Sequence, residues 1–303
     1  LIQKIESKDI LDENEILILS MYRPVNSIKS IKQKLLNYEH NNISFEEFII
    51  FTIKMNSQEA EIMKSIKSFP LIKNTTSKKV KEQYEENPYP RWRNYYCNSK
   101  VNIYEKLSRD YYDQNIKNIN VKEPNILIAG CGTGFQVFLT SEIENARILA
   151  IDLSKRSLSY SIRKTNEARI KNVTYLNMDL LDLNMINKSF DIIECVGVLH
   201  HMKEPLKGLK SLLNSLKTNG LLRLGIYSKI ARKSVTYCRN FFAEKKVVSD
   251  LEKIRKCRLK IFRFNDNVYF NQLTKSIDFY STSRVRDLLF HVQEHNFNLI
   301  EVE

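Results

Sequence analysis

The chain has 303 residues, of which 43% are hydrophobic and 27% are charged, and its formal net charge is +13. This length suffices for a full α/β domain together with a smaller second unit. We expect neither a membrane-spanning helix nor a signal peptide, because no apolar run has the required length or flanks. The charge suggests a polyanionic partner, although a diffuse lysine excess is also typical of an ordinary solvated surface.

The cysteines form no recognisable motif. They are five in number, scattered and without a C-x-x-C pair, and they are Cys97, Cys131, Cys195, Cys238 and Cys257. Such a set is typical of reduced thiols rather than of disulfides. The sequence also contains no H-E-x-x-H and no cluster of cysteine and histidine. We therefore expect a cytoplasmic protein without a metal site.

Residues 1–75 are predicted to form a small all-helical domain. Asp12 with Glu15, and Ser44 with Glu47, have the spacing of capping boxes, and an apolar run follows each pair. Short amphipathic helices bury an apolar face only by packing together or against a neighbouring domain. No residue cluster in this part suggests chemistry, so we interpret it as a cap or interaction domain.

Residues 76–120 are predicted to connect this domain to the rest of the chain. The polar stretch Lys73–Lys79 has the composition of a linker, whereas residues 100–120 have the pattern of one amphipathic helix. This helix is expected to lead into the first strand of a sheet.

The segment Glu82–Trp92, which we call the lid segment, combines prolines with aromatic side chains. Pro88 and Pro90 hold the backbone extended and prevent a helix. Aromatic side chains beside an extended backbone suggest a lid or a stacking surface over a ligand. The alternative is that Tyr89 and Trp92 only pack the helical domain against the sheet.

A glycine-rich turn follows the first predicted strand. The apolar residues 126–129 indicate a buried parallel strand, after which Gly130, Gly132 and Gly134 occupy alternate positions. Glycines here let the backbone turn sharply and let a ligand approach closely. Residues 136–143 are predicted to form a helix whose N-terminus points at that ligand. The turn is a candidate nucleotide-binding site, although three glycines also suit an ordinary tight turn.

The second predicted strand ends in an acid, Asp152. A carboxylate at this tip is placed to accept hydrogen bonds from two ribose hydroxyls, although Asp152 also has the position of a cap before Ser154. A dinucleotide fingerprint requires glycine or alanine at position 135, where this chain has Phe135. NAD and FAD are therefore disfavoured, and a cofactor with a ribose and an adenine but no pyrophosphate fits better.

These motifs resemble those of class I S-adenosylmethionine (SAM) methyltransferases, in particular the ubiquinone/menaquinone-type branch. The resemblance covers about residues 120–228. The further matching segments, in order, are Asn177–Leu180, Phe190–Cys195, Val198–Met202 and Leu216–Leu222. The resemblance implies an enzyme with SAM as its cofactor and S-adenosylhomocysteine as the product. It also places Asp179 against the adenine amino group, unless Asp179 only caps the turn that follows it.

The lid segment carries a second resemblance. Residues 88–92 resemble the Pro-Tyr-Pro-Arg-Trp segment that precedes the methyltransferase domain in a group of bacterial methyltransferases, some of them fused to tetratricopeptide repeats. Residues 278–291 resemble the same group. The resemblance implies that Tyr84 and its neighbours close over SAM or substrate. The predicted cofactor-binding residues are Tyr84, Gly130, Cys131, Gly132, Thr133, Gly134, Gln136, Asp152, Leu153, Asp179, Leu180 and Cys195.

The alternation of strands and helices predicts an α/β fold. The predicted strands are 126–129, 147–151, 173–177, 190–196 and 221–227, and the helices between them include 136–143, 154–170 and 203–217. Such alternation gives a Rossmann-like, mostly parallel sheet with helices on both faces and right-handed crossovers. Ligands bind at the carboxyl ends of the strands in such sheets. We expect residues 121–303 to form this SAM-binding methyltransferase domain.

After the fifth strand, a basic helical insertion is predicted over residues 229–275, with helices at 230–244 and 247–257. Between Lys229 and Arg263 there are twelve basic and three acidic residues, which makes a nucleic-acid partner a hypothesis. A helix capped by Ser283 and running through Glu294, and a sixth strand over 297–302, are expected to follow. The family's last antiparallel strand has no counterpart here, so we expect the domain to be C-terminally incomplete.

Methyl transfer needs a base only if the attacking atom holds a proton at neutral pH. His200 and His201 follow the fourth strand and are candidate bases, although one of them is equally suited to packing the loop. Candidate substrate contacts are Tyr89, Arg91, Trp92, Tyr227, Tyr280, Arg286 and His291. Three hypotheses follow: a methyltransferase for a small-molecule or lipid-like acceptor, the same chemistry on RNA or another polyanion, and a non-catalytic SAM-binding module.

Overall fold

The structure is a computed structural model that describes residues 1–8, 11–39, 42–69, 72–94, 99–110, 121–244, 251–264 and 266–302. It divides into two compact units, Leu1–Ser65 and Ile66–Glu303. Several predictions fall outside the described residues; they concern Cys97, residues 111–120 of the predicted leading helix, and the basic residues Lys245 and Lys246. None of the described helices is long and apolar enough to cross a membrane.

The first unit is built from short helices around one apolar core. Its α-helices are α1 (Ile2–Glu6), α2 (Glu13–Tyr22), α3 (Lys29–Leu36), α4 (Ile43–Ile49) and α5 (Met55–Ser65). As predicted, Asp12 caps α2, where it accepts a hydrogen bond from the backbone N–H of Asn14. The predicted cap at Ser44 is wrong, because Asn42 accepts from the backbone N–H groups of Ser44 and Phe45. An Asx side chain reaches those N–H groups from the residue before the helix.

The second unit begins with a helix where a linker was predicted. Helix α6 (Thr75–Glu86) starts at Asn74, whose side chain accepts from the backbone N–H of Thr76 at 2.9 Å. The stretch is polar because most of the helix faces solvent, but Val80 and Gln83 are buried. The linker prediction at Lys73–Lys79 is therefore wrong, and α6 lies among the elements that surround the site. Helix α7 (Ile103–Asp110) confirms helical structure in the described part of residues 100–120.

A five-stranded parallel sheet forms the centre of the second unit. Its strands are β1 (Asn125–Ala129), β2 (Arg147–Asp152), β3 (Val173–Asn177), β4 (Phe190–Val196) and β5 (Leu216–Gly225), in the order β3-β2-β1-β4-β5. Ala129 lies opposite Ile151 in the register of β1 and β2, so the glycine turn and the end of β2 lie side by side. The Rossmann-like α/β prediction is confirmed.

The crossover helices are α8 (Phe135–Ser141), α9 (Lys155–Glu167) and α10 (Pro205–Ser215). Strand β5 begins directly after α10, at Leu216, and not at residue 221 as predicted. Leu216 pairs with Phe190, and Leu221 pairs with Ile192, so an irregularity in β4 separates the two parts of β5. This pairing holds residues 216–220 in the strand although the turn-forming pair Asn219 and Gly220 lies among them.

The part after β5 forms its own helical cluster. Its helices are α11 (Lys233–Glu244), α12 (Leu251–Arg263), α13 (Val268–Thr274) and α14 (Thr282–Phe290). The buried side chains shared by these helices include Cys238, Ile254, Phe270 and Leu289. Ser281 caps α14, not Ser283 as predicted, and its hydroxyl accepts from the backbone N–H of Arg284.

The predicted sixth strand is wrong for the residues described. Phe297 makes one isolated parallel bridge with Ser228, and a turn follows it. In that turn the backbone N–H of Asn298 donates to Glu301 Oε2 at 2.8 Å, and the backbone N–H of Glu301 donates to Asn298 Oδ1 at 2.9 Å. These reciprocal side-chain bonds satisfy the backbone locally and replace a strand ladder.

Candidate active site

The glycine turn and the acid at the end of β2 are joined directly by hydrogen bonds. The backbone N–H groups of Gly130 and Cys131 both donate to the carbonyl oxygen of Ile151, at 2.8 and 3.0 Å. The backbone N–H of Gly132 donates to Asp152 Oδ2 at 2.8 Å. The turn therefore presents its backbone and the Asp152 carboxylate at the same edge of the sheet.

Gly134 is required for packing between helices. It precedes α8 with φ +86°, in the left-handed region that favours glycine. A Cβ atom at Gly134 would lie 1.9 Å from the hydroxyl oxygen of Ser161 on α9. Because Gly134 faces α9, it does not line the cavity described next.

A cavity of about 280 Å³ lies at the carboxyl edge of the sheet. The predicted cofactor residues in its wall are Tyr84, Gly130, Cys131, Gly132, Thr133, Gln136, Asp152, Leu153, Asp179 and Leu180. Cys195 does not line it, because its side chain is fully buried in the core beneath the sheet. The sequence analysis missed Met178, Val198 and Asp287 in this wall. Apolar loop residues such as Met178 and Val198 give no chemical signal in a sequence.

Burial dominates the electrostatics of Asp152. Loss of water raises the pKa of this carboxyl to about 6, and the N–H groups of Ser154 and Gly132 counteract part of that rise. Oδ1 accepts from Ser154 N at 2.8 Å, so each oxygen has one backbone donor and retains a further lone pair. Asp152 therefore lines the cavity, whereas its interpretation as a helix cap is wrong, because Ser154 caps α9 by accepting from the backbone N–H of Ser157 at 3.0 Å.

Asp179 both caps a turn and lines the cavity. Its Oδ1 accepts from the backbone N–H of Leu181 at 3.1 Å and so caps the 3-10 turn Leu180–Ile186. The residue is buried and lines the cavity. The capping interpretation is thus correct, and contact with an adenine stays a prediction.

The lid segment packs on the glycine turn. The indole of Trp92 donates to the carbonyl oxygen of Thr133 at 3.1 Å, and the Thr133 hydroxyl bonds the carbonyl oxygen of Pro90. The Trp92 ring packs edge-on against Phe138, with centroids 4.7 Å apart. Tyr89 and Pro90 line the cavity, whereas Trp92 and its neighbour in sequence, Arg91, do not.

The other predicted substrate contacts are divided between the cavity wall and positions outside it, and His291 is among those outside. Tyr227 lines the cavity. Tyr280 is 57% exposed and donates to the carbonyl oxygen of Thr274. Arg286 forms an ion pair with Glu86. Neither Tyr280 nor Arg286 contributes to the cavity wall, because both side chains are engaged outside it.

The two candidate bases differ in their access to the cavity. His200 is fully buried, stacks on Tyr227 with centroids 3.7 Å apart and does not line the cavity. His201 does line it. Burial lowers the pKa of His200 to about 2 and that of His201 to about 4. The lowered pKa keeps the His201 imidazole neutral at physiological pH, and of the pair it is the one that faces the cavity.

His201 belongs to a cluster that the sequence analysis did not anticipate. It lies with Asp287 and His291, all three side chains are buried, and one ligand atom of each lies within 4.8 Å of the others. Burial raises the pKa of Asp287 to about 6 and lowers that of His291 to about 2. The spacing Asp287-x-x-x-His291, within the helix predicted to run through Glu294, was the available signal, although His291 lies just past the end of α14 in the structure. The sequence analysis did not expect such a group of potential metal ligands, and its expectation of no metal site stays a prediction.

Two of the residues in the basic segment are used inside the protein. Arg232 forms an ion pair with Glu294, with Nη2 2.7 Å from Oε2, and Arg239 lies 3.7 Å from the same oxygen. The Glu294 side chain is only 2% exposed. These two cations therefore stabilise the helical cluster and are not available to a polyanion.

The parallel sheet, the glycine turn after its first strand and the carboxylate at the end of its second are those of a Rossmann-like nucleotide-binding domain, the fold that class I SAM-dependent methyltransferases share. In agreement, residues 127–224 match the family model described as a methyltransferase domain. S-adenosylmethionine is the cofactor of this class, and the residues of the cavity fit it, since Asp152 offers acceptor lone pairs beside a glycine turn.

Curated relatives are similar to part of the chain. It is 34% identical over 114 residues to an uncharacterized protein of Synechococcus sp., covering 37% of this chain and 27% of that protein. It is 34% identical over 103 residues to the tRNA U34 carboxymethyltransferase of Campylobacter fetus, covering 34% of this chain and 36% of that enzyme. The chain thus spans about a third of the length of these curated relatives.

One solved structure shows the same fold. PKMT2 from Rickettsia typhi, in complex with AdoHcy, superposes with a TM-score of 0.52 at 22% identity, covering 69% of this chain and 42% of that one. The similarity extends well beyond the methyltransferase domain itself, because residues 127–224 alone are a smaller share of the chain.

Proposed function

We propose that this protein transfers the methyl group of SAM to a small-molecule or lipid-like acceptor that binds in the same cavity. The observation that carries the proposal is the bond from Gly132 N to Asp152 Oδ2, which places a carboxylate and a glycine turn together at the cavity. When bound, SAM supplies an electrophilic methyl group on a sulfonium. Asp152 would hold the ribose hydroxyls, and Asp179 would meet the adenine.

The acceptor side of the proposal is supported by the rest of the cavity wall. Tyr84, Tyr89, Tyr227 and His201 bring aromatic surfaces and polar atoms to one enclosed space. Ligand pockets are commonly lined in this way, by apolar and aromatic surface with a few converging polar groups. These side chains come from α6, the lid segment and the loops after β4 and β5, and they exclude water and orient the acceptor for an in-line displacement.

Calorimetric titration with SAM and with S-adenosylhomocysteine tests the cofactor part. We expect binding by the wild-type chain and a loss of about 100-fold or more in Asp152→Ala, since a bidentate charged acceptor is worth about 3 kcal/mol. The matched control is Asp266→Ala, an exposed acid away from the cavity. Absence of binding by the wild-type chain, or equal affinity in Asp152→Ala, would contradict the proposal. Radiolabelled methyl transfer to a panel of small acceptors tests the activity and excludes a non-catalytic module.

An RNA acceptor is the second candidate. It is favoured by the relatives named tRNA U34 carboxymethyltransferase and by the excess of basic residues between 229 and 263. The pairing of Arg232 and Arg239 with Glu294 weakens it. Binding of RNA that falls steeply and linearly with the logarithm of the salt concentration would support this candidate, because phosphate neutralisation releases counterions. Weak binding that changes little with salt would exclude it.

A further inference from the structure

Three buried side chains from two distant parts of the chain meet beside the cavity, and two of them, His201 and Asp287, line it. His201 follows β4, whereas Asp287 and His291 come from the last turn of α14 and its end. Their ligand atoms lie within 4.8 Å of one another. Two imidazoles and a carboxylate are a common ligand set for zinc and related ions. We propose that His201, Asp287 and His291 bind a divalent first-row transition metal ion of the zinc type.

The backbone of Gln293 orients both imidazoles. His201 Nδ1 lies 2.7 Å from the carbonyl oxygen of Gln293, and His291 Nδ1 lies 2.8 Å from the same oxygen. A carbonyl oxygen only accepts, so the contact of His201 assigns its proton to Nδ1 and leaves a lone pair on Nε2. His291 Nδ1 also lies 3.2 Å from the backbone N–H of Gln293, which donates, so the contacts of His291 are compatible with either neutral tautomer, and metal binding selects the one with a lone pair on Nε2. Metal-binding histidines are usually held in this way, with the second ring nitrogen donating to a carbonyl or carboxylate.

His291 provides an independent indication of a ligand. Its Nε2 is buried and has no hydrogen-bond partner among the described residues. The residue itself is only 3% exposed. A buried polar atom without a partner is costly, and native proteins rarely retain one without a function. An ion between His291 and His201 would satisfy this atom.

Asp287 is held in the same manner as the histidines. Its Oδ1 accepts a hydrogen bond from the Tyr84 hydroxyl at 2.7 Å, and this bond orients the carboxylate as an outer-shell partner would. The nearby guanidinium groups of Arg232 and Arg239 are directed to Glu294. The Asp287 carboxylate therefore remains available to a cation.

Metal binding requires one local change in the cluster. The rings of His201 and His291 stack with centroids 3.5 Å apart and an interplanar angle of 19°. A tetrahedral ion about 2.0–2.1 Å from each nitrogen needs lone pairs that converge, and those of stacked rings are nearly parallel. The rings must tilt, so coordination replaces this stacking contact.

Three protein ligands leave a coordination position open. His201 and Asp287 both line the cavity, so the open position faces the space assigned to the acceptor. This role of the ion rests on the proposed function: it would lower the pKa of a bound acceptor, whose proton passes to solvent. The acceptor lone pair then forms the bond to the methyl carbon, the carbon–sulfur bond breaks, and its electron pair remains on sulfur.

Titration of the chelator-treated full chain with Co²⁺ tests the site, because the visible absorption of Co²⁺ reports its coordination. We expect one ion per chain, displaced by Zn²⁺. His291→Gln and Asp287→Asn each remove a ligand and should weaken binding more than the ~10–100-fold expected for the outer-shell variant Tyr84→Phe. The matched control is His295→Gln, since His295 Nε2 bonds the carbonyl oxygen of Met202 and is not part of the cluster.

Circular dichroism without metal shows whether each variant is folded. Failure of the wild-type chain to bind Co²⁺ or Zn²⁺, or equal binding in wild type and His291→Gln, would overturn the metal site. A loss of metal affinity in His295→Gln as large as that in His291→Gln would also overturn the metal site. SAM affinity measured on the same wild-type preparation separates the two proposals: metal binding without SAM binding contradicts the proposed function alone.

Discussion

The hydroxyl of Tyr84 donates a hydrogen bond of 2.7 Å to Oδ1 of Asp287, a residue 203 positions later in the chain. Tyr84 lies on α6, before the sheet, and Asp287 lies on α14, after it. Both residues line the cavity. The bond therefore connects the segments on either side of the methyltransferase domain at the site, and it can be tested by removing a single oxygen atom.

Tyr84→Phe is expected to lower the free energy of unfolding by about 1–3 kcal/mol, because it leaves a buried carboxylate oxygen without its donor. Urea denaturation measures the change. Tyr104→Phe is the control, since Tyr104 is 42% exposed and should change stability by less than about 0.5 kcal/mol. Equal effects of the two substitutions would contradict the importance of the Tyr84–Asp287 bond.

The affinity for SAM should depend on pH through Asp152. The pKa of this carboxyl in the free protein is raised to about 6 by burial, so it is ionised above pH 6 and becomes protonated below it. The ionised form is the better acceptor for ribose hydroxyls, so the affinity should fall as the pH drops through 6, by up to about tenfold per pH unit. Calorimetry between pH 5 and 7.5 measures this slope.

Asp152→Asn provides the control for the pH dependence. It keeps the shape of the side chain but does not titrate, so its SAM affinity should be lower than that of wild type at neutral pH and nearly constant with pH. A wild-type affinity that stays constant through pH 6 would show that Asp152 does not contact the cofactor as a carboxylate.

Gly134→Ala is expected to destabilise the protein by more than Gly197→Ala. Both glycines have positive φ, at +86° and +77°, so either substitution incurs backbone strain of about 1–2 kcal/mol. At Gly134 the new Cβ would also lie 1.9 Å from the Ser161 hydroxyl oxygen, whereas at Gly197 no atom lies within 4 Å. Thermal denaturation compares the two, and similar losses would argue against tight packing of α8 on α9.

Glu294→Gln should be strongly destabilising. The substitution leaves Arg232 and Arg239 partly buried without their anion, and removal of one partner of a buried ion pair costs about 3–5 kcal/mol. Glu301→Gln breaks the exposed pair with Lys229, and we expect a much smaller loss of stability because solvent screens this pair. Denaturant titration of both variants measures the difference. If Glu294→Gln lowers the free energy of unfolding no more than Glu301→Gln does, an internal role for Arg232 and Arg239 is contradicted.

Much of the fold and part of the site were predictable because short stretches of neighbouring residues determine them. A buried apolar run followed by alternate glycines is itself a strand and a turn, so β1 and Gly130–Gly134 were identified correctly. The predicted linker at Lys73–Lys79 failed for the converse reason. Its residues are polar on average, and only the tertiary structure shows that they begin a helix whose inner side, from Ser77 to Val80 and Gln83, is buried against other elements.

The sequence by itself indicated the class of the protein, because the glycine turn and the acid that ends the second strand are local patterns, each formed by residues that follow each other closely. Only the tertiary structure decided which side chains share the cavity. It separated His200 from His201, moved Trp92 outside the cavity wall, and joined His201 with Asp287 and His291. Contacts between residues so far apart depend on how α6 and α14 pack on the sheet, and no spacing along the chain encodes that packing.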